Sequence, residues 1–153
     1  MKIRQAVKND SAQLKSLFLE NQKYTQKFDK EVVVNEQTEK EIEKDVERAF
    51  KEPNNQIFVA EENQKIVGFI IANFSPGVIR SGWINEIFIT ESFRKKGIGF
   101  KLMAKGIDCL KQKGAKKVEL ITHKLNQEVL SFYQKLDFKK QPAKFVRLGK
   151  KLI

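Results

Sequence analysis

Cysteine is nearly absent, with Cys109 the only one among 153 residues. A disulfide needs two thiols, so an internal disulfide framework is excluded. Histidine is equally scarce, with His123 alone, and one thiol with one imidazole does not make a zinc set. No metal is therefore expected. No apolar run reaches the ~20 residues a membrane-spanning helix needs. The opening Met1-Lys2-Ile3-Arg4-Gln5-Ala6-Val7-Lys8 has no apolar stretch of the secretory kind. A soluble cytoplasmic protein without membrane contact is the expectation. With only three prolines and no repeat, low-complexity tract or linker, residues 1–153 are expected to form a single domain.

What is present points to a folded, basic chain. A hydrophobic fraction of 41% with 12 Phe supports a buried core. Thirty basic against 19 acidic side chains give a net charge of +11, which favours an anionic ligand or partner. The charge is uneven: Asp29 to Glu62 holds most of the acids, and the C-terminal half is rich in lysine. A nucleic-acid-binding protein is the weaker reading of this bias, because no basic aromatic motif or recognition-helix pattern accompanies it.

Periodicity places the elements. Residues 2–7 make a short strand, and Asn9-Asp10-Ser11 offers N-cap chemistry to a helix whose buried stripe is Leu14, Leu17 and Phe18. Val32-Val33-Val34 fits a loop or a short extended piece. Thr38 with Glu41 resembles a capping box for a second helix, with Ile42, Val46, Ala49 and Phe50 along one face. Residues 57–60 and 65–74 read as a hairpin, and 82–89 as the next strand. A helix follows from Ile98 to about Gly114, then a strand over 118–122, a helix over 127–136, and two short strands within 138–148.

The turn between the strand ending at Ile89 and the helix after it reads Arg94-Lys95-Lys96-Gly97-Ile98-Gly99. The first N–H groups of a helix lack intrahelical partners and carry the positive end of its dipole. Glycines there let a phosphate approach the backbone, and the flanking cations add charge. By itself the pattern fits a plain turn as well as an anion cradle. The next strand and helix carry a second pattern, Asn126 followed by Phe132-Tyr133 and then Leu136-Asp137-Phe138.

Together these two stretches resemble the GNAT superfamily of acyl-CoA-dependent N-acetyltransferases. The first matches that family's Arg/Gln-x-x-Gly-x-Gly/Ala loop and the second its Asn…Tyr-x-x-x-Gly-Phe pattern, with Asp137 where the family most often has Gly. The resemblance implies an α/β (α+β) fold. Its central sheet would be mixed, mostly antiparallel, of six or seven strands splayed between the fourth and fifth, with about four helices. It also implies transfer of an acetyl group from acetyl-CoA, as co-substrate, to a primary amine.

Carried onto this chain, the resemblance gives each site residue a role. Backbone N–H groups over Lys95, Lys96, Gly97, Ile98, Gly99 and Lys101, with the Arg94 charge, would hold the pyrophosphate. Phe88 and Ile89 would pair with the pantetheine arm, an N–H near Phe88 would polarise the thioester carbonyl, and Asn126 would contact the pantetheine or cap its helix. Tyr133 would donate to the departing thiolate, against a plain reading as a packed aromatic. Glu86, one of few charges in an apolar strand, would take the amine's proton directly or through water; the alternative is a solvent-facing or salt-bridged carboxylate. Tyr24 and Phe28 are candidate acceptor-site walls, and His123 could orient or deprotonate the acceptor, against a plain reading as an exposed side chain at a strand end. The amine, small or peptide, is left open, as is a homodimer. A CoA-binding module without turnover is the alternative function.

Overall fold

The computed structural model describes residues 1–142 and 148–150. The chain forms two compact units, Met1–Ile121 and Thr122–Ile153. In the first, the elements are β1 (Lys2–Gln5), α1 (Ser11–Thr25), α2 (Glu36–Lys51), β2 (Asn55–Glu62), β3 (Lys65–Ser75), β4 (Ser81–Ile89), α3 (Ile98–Gln112) and β5 (Lys117–Leu120). The second contains α4 (Gln127–Gln134).

The strands lie in the order β1-β2-β3-β4-β5. The first four are antiparallel to their neighbours, and β5 runs parallel to β4. A parallel pair needs a crossover, which α3 supplies. The sheet is mixed as expected, with five strands among the described residues rather than six or seven. The missing pair was expected over 138–148, where 138–142 and 148 are not strand and 143–147 lie outside the described residues.

Local chemistry sets several boundaries. β1 stops at Gln5 because Val7 N–H donates to Asp10 Oδ2 at 2.8 Å, turning the chain, while Arg4 grips the same carboxylate with both Nη atoms at 2.7 and 2.9 Å. The α2 cap differs from the expected Thr38/Glu41 pair. Asn35 is the N-cap: its Oδ1 accepts from Thr38 N–H at 3.1 Å, and its own N–H donates to Thr38 Oγ1 at 3.0 Å. Asn accepts as well as Thr does at this position, and it places the helix start three residues earlier than Thr38 would. Val32-Val33-Val34 forms no strand. The β2–β3 hairpin closes through Asn63 and Gln64, both at positive φ (49° and 63°), the conformation of a tight two-residue turn.

One face of the sheet meets α1 and α2. Leu14, Leu17, Phe18, Ile42 and Val46 pack against Ile57, Val59, Phe69, Ile71 and Phe88, and Phe18 stacks on Phe69 at 4.7 Å. The alternate residues Ile70 and Ala72 face α3, where a Cβ on Gly106 would lie 3.0 Å from Ile70 Cδ1. β3 is therefore covered on both faces, which explains its unbroken apolar run from Ile66 to Ala72.

Candidate active site

The site begins with a fault in β4. Ile84 pairs with Ala72 of β3, but the next β3 residue, Ile71, pairs with Glu86, so Asn85 is an extra residue without a partner. This β-bulge coincides with the end of the β5 ladder, whose last pair is Ile84 with Leu120. Beyond the bulge, Glu86 to Ile89 keep β3 on one side, and among the described residues no strand pairs their other edge. An open strand edge presents main-chain donors and acceptors to an extended ligand. The ladder between the fourth and fifth strands thus ends beside the bulge.

The edge leads straight to the glycine turn. A 3-10 turn, Glu91–Phe93, connects β4 to α3, whose N-cap is Gly97 at φ 76°, a left-handed conformation that favours glycine. A Cβ built on Gly97 would meet nothing within 4 Å, so the backbone there borders open space that a side chain would fill. Lys95 is also left-handed, at φ 59°. Lys101 N–H is bonded within the helix, to Gly97 O at 3.2 Å, and the amides before it point out of the helix start. Lys95, Lys96 and Lys101 are exposed around this end, with Lys96 Nζ 4.9 Å from the Phe93 ring, whereas Ile98 is buried and anchors the first turn. Gly99 is half-buried on that same turn.

Arg94 turns back from the cradle. Its Nε donates to the Ile89 carbonyl at 2.9 Å, and the guanidinium lies 4.3 Å from the Tyr24 ring and 5.3 Å from that of Phe88. Tyr24 in turn meets Phe28 edge-on at 5.6 Å. The end of β4 is held to α1 at two further points: Thr90 Oγ1 donates to Glu20 Oε2 at 3.0 Å, and Asn21 Nδ2 donates to Glu86 Oε1 at 2.7 Å. Glu86 is half-buried. Burial raises its carboxyl above the usual range; the Asn21 amide works against that rise, and the like charge of Asp45 on α2 adds to it.

Asn21 was not singled out by the sequence reading, although a signal exists. It continues the stripe Leu14, Leu17, Phe18 by one more turn, so it is a polar residue on the face that the helix buries.

The second unit holds the other motif. Asn126 is buried and caps α4, its Oδ1 accepting from Val129 N–H at 3.3 Å. His123 is engaged in the same turn: its Nδ1 accepts from Leu125 N–H at 3.2 Å and its carbonyl from Asn126 N–H at 3.0 Å. Tyr133 is buried, and burial pushes its phenol up to about 12. After the helix, Asp137 stands left-handed at φ 63°, Phe138 N–H donates back to Tyr133 O at 3.1 Å, and the Tyr133 and Phe138 rings lie 5.8 Å apart. That is a Schellman cap with its hydrophobic contact, formed with Asp in the place that glycine usually takes. Among the described residues no cluster of His, Cys, Asp and Glu could hold a metal, and no helix is long and apolar enough to cross a membrane.

A bulged, one-sided strand that runs into a glycine-led helix start agrees with comparison to known proteins. A profile described as the acetyltransferase (GNAT) family matches residues 17–138. The chain belongs to the GNAT acetyltransferase family. It is similar to N-alpha-acetyltransferase 30 of Schizosaccharomyces pombe, 32% identical over 83 residues, covering 53% of this chain and 55% of that protein. It is also similar to an uncharacterized N-acetyltransferase, MJ1207, of Methanocaldococcus jannaschii, 34% identical over 98 residues, covering 60% and 42%. The chain thus spans about half the length of these curated relatives. Its GNAT fold is shared with the aminoglycoside N-acetyltransferase AAC(6')-Iy, solved with CoA, at a TM-score of 0.73 and 19% identity, over 97% of this chain and all of that one (100%).

Proposed function

We propose that this GNAT chain is an N-acetyltransferase that moves the acetyl group of acetyl-CoA onto a primary amine by direct attack, with residues 1–153 acting as one catalytic domain. The observation that carries the reading is the open edge of β4 past Asn85, which bears Glu86 and ends at the Gly97 cradle. The residues present fit acetyl-CoA. An anionic pyrophosphate suits the α3 start, the exposed lysines and the space a Cβ would fill at Gly97. An extended pantetheine arm suits the edge of Phe88 and Ile89 that faces away from β3, although Arg94 already holds the Ile89 carbonyl.

The steps follow from the groups at hand. An alkylamine is almost fully protonated at neutral pH and must lose a proton to attack. Glu86, held above the usual carboxylate range by burial, is a stronger base than a surface carboxylate and takes that proton, directly or through water. As nitrogen bonds to the thioester carbon, a main-chain N–H near Phe88 stabilises the oxygen that gains charge; such a donor is typically worth about 3 kcal/mol. The carbon–sulfur bond then breaks, Tyr133, still protonated because burial has raised it, donates to the departing thiolate, and the second proton shed by the acetylated nitrogen returns through solvent to the Tyr133 phenolate. Tyr24 and Phe28 on the acceptor side would form part of the wall that selects the amine.

A panel of small amines, aminoglycosides, amino acids and peptides, each mixed with acetyl-CoA and followed by release of CoA, tests the reading. Acceleration by one class supports it. Binding of acetyl-CoA without turnover across the panel would leave a CoA-binding module instead.

A further inference from the structure

We propose that Asn21 is a positioning residue for the transfer step: its amide fixes one oxygen of Glu86 and leaves the other free to receive the acceptor's proton. The inference rests on the reading of Glu86 as the proton acceptor. It starts from geometry. Asn21 Nδ2 lies 2.7 Å from Glu86 Oε1, short for an amide donor and typical of a bond to a charged acceptor. Among the described residues no cation forms an ion pair with Glu86, and Asn21 is the side chain that hydrogen-bonds it.

The chemistry explains why a neutral amide stands there. A lysine or arginine would also orient the carboxylate, but its charge would stabilise the anion and weaken it as a base. An amide orients without adding charge, and because a carboxyl protonated on its other oxygen keeps Oε1 as an acceptor, the same N–H bond serves both states of the cycle. The surroundings are consistent. Asp45 on α2 is the other charged group acting on Glu86, Ile71 opposite it on β3 is apolar, and the nearby Arg94 is committed to Ile89 and Tyr24. Asn in a helix interior is also a weak helix former, a local cost that a packing role for leucine would not carry.

The test uses the whole chain with carbon-13-labelled glutamate, in which the Glu86 carboxyl is assigned by its loss in Glu86→Gln. Without the amide donor, the Glu86 midpoint should move to higher pH in Asn21→Leu, and further in Asn21→Asp, whose charge repels the carboxylate. With the amine and acetyl-CoA from the panel, kcat should fall about tenfold or more in Asn21→Leu. The acid limb of kcat/KM should shift to higher pH, while KM for acetyl-CoA stays near wild type. A structural role alone would not move that limb. Should both variants keep the wild-type Glu86 midpoint and acid limb, the proposal is overturned while the base reading stands. Full turnover in Glu86→Gln would overturn both, and Asn21→Asp, close in shape to the native residue, keeps the test open if Asn21→Leu does not fold.

Discussion

At the scale of residues, the proposed mechanism gives Glu86 and Tyr133 opposite protonation tasks, and burial raises both groups. Glu86 has its folded value raised, so its contribution to stability is fully present below the ordinary carboxylate value and is lost as pH rises through the folded one. Glu86→Gln removes that loss. The variant should melt higher than wild type at neutral pH, with the difference vanishing as the pH is lowered past the usual glutamate range. It should also lose about a hundredfold or more in kcat, the typical worth of a general base. Thermal melts across pH, beside the turnover assay, check both halves. Tyr133 is pushed up to about 12, so it stays protonated across the neutral range and its ionisation sets no basic limb there. Tyr133→Phe should lower kcat roughly tenfold, a modest loss because a thiolate leaves readily, with little change in acetyl-CoA affinity. Steady-state kinetics with binding calorimetry would show it, and unchanged turnover would remove Tyr133 from the mechanism.

At the scale of elements, two termini test the account. Gly97 opens α3 in a left-handed conformation beside free space. Gly97→Val would strain the backbone by about 1–2 kcal/mol and place methyl groups where a phosphate would approach. Affinity for CoA should fall about tenfold or more, as when a charge-assisted hydrogen bond is lost. Calorimetry on the folded variant reads this, and wild-type affinity would reduce the cradle to a plain turn. At the end of α4, Asp137 adopts a left-handed conformation that glycine adopts without strain. Asp137→Gly should therefore stabilise the chain by about 1 kcal/mol, measured by denaturant unfolding.

These elements also show what sequence can and cannot disclose. The Gly97 turn was legible because local chemistry fixes it, a glycine with its strand and helix neighbours, whereas Asp137 could be placed only by its match to the family's usual glycine. Glu86 stood out as a charge within an apolar strand. The α2 start was misplaced because Asn35 and Thr38 cap as readily as Thr38 and Glu41 would, and only hydrogen-bond geometry separates them. Asn21 was only partly legible, for a different reason. Its partner is 65 residues away, and a helix pattern says which face is buried but not what meets it.

At the scale of the whole molecule, a net charge of +11 pointed to an anionic ligand without naming it. The sheet narrows the choice, because its bulge opens one strand edge toward one helix start, a linear arrangement suited to a ligand with an extended arm and a phosphate end. Family membership agrees over residues 17–138. The central claim is that acetyl leaves CoA for nitrogen in one direct transfer. Its most direct test is to incubate the chain with acetyl-CoA and the responding amine, and to quantify free CoA and N-acetylated amine over time. The expected result is equal amounts of the two at every time point, with no acetylated protein accumulating and both products formed about a hundredfold or more slowly in Glu86→Gln. Release of CoA without acetylated amine, or an acetyl group retained on the protein, would contradict it.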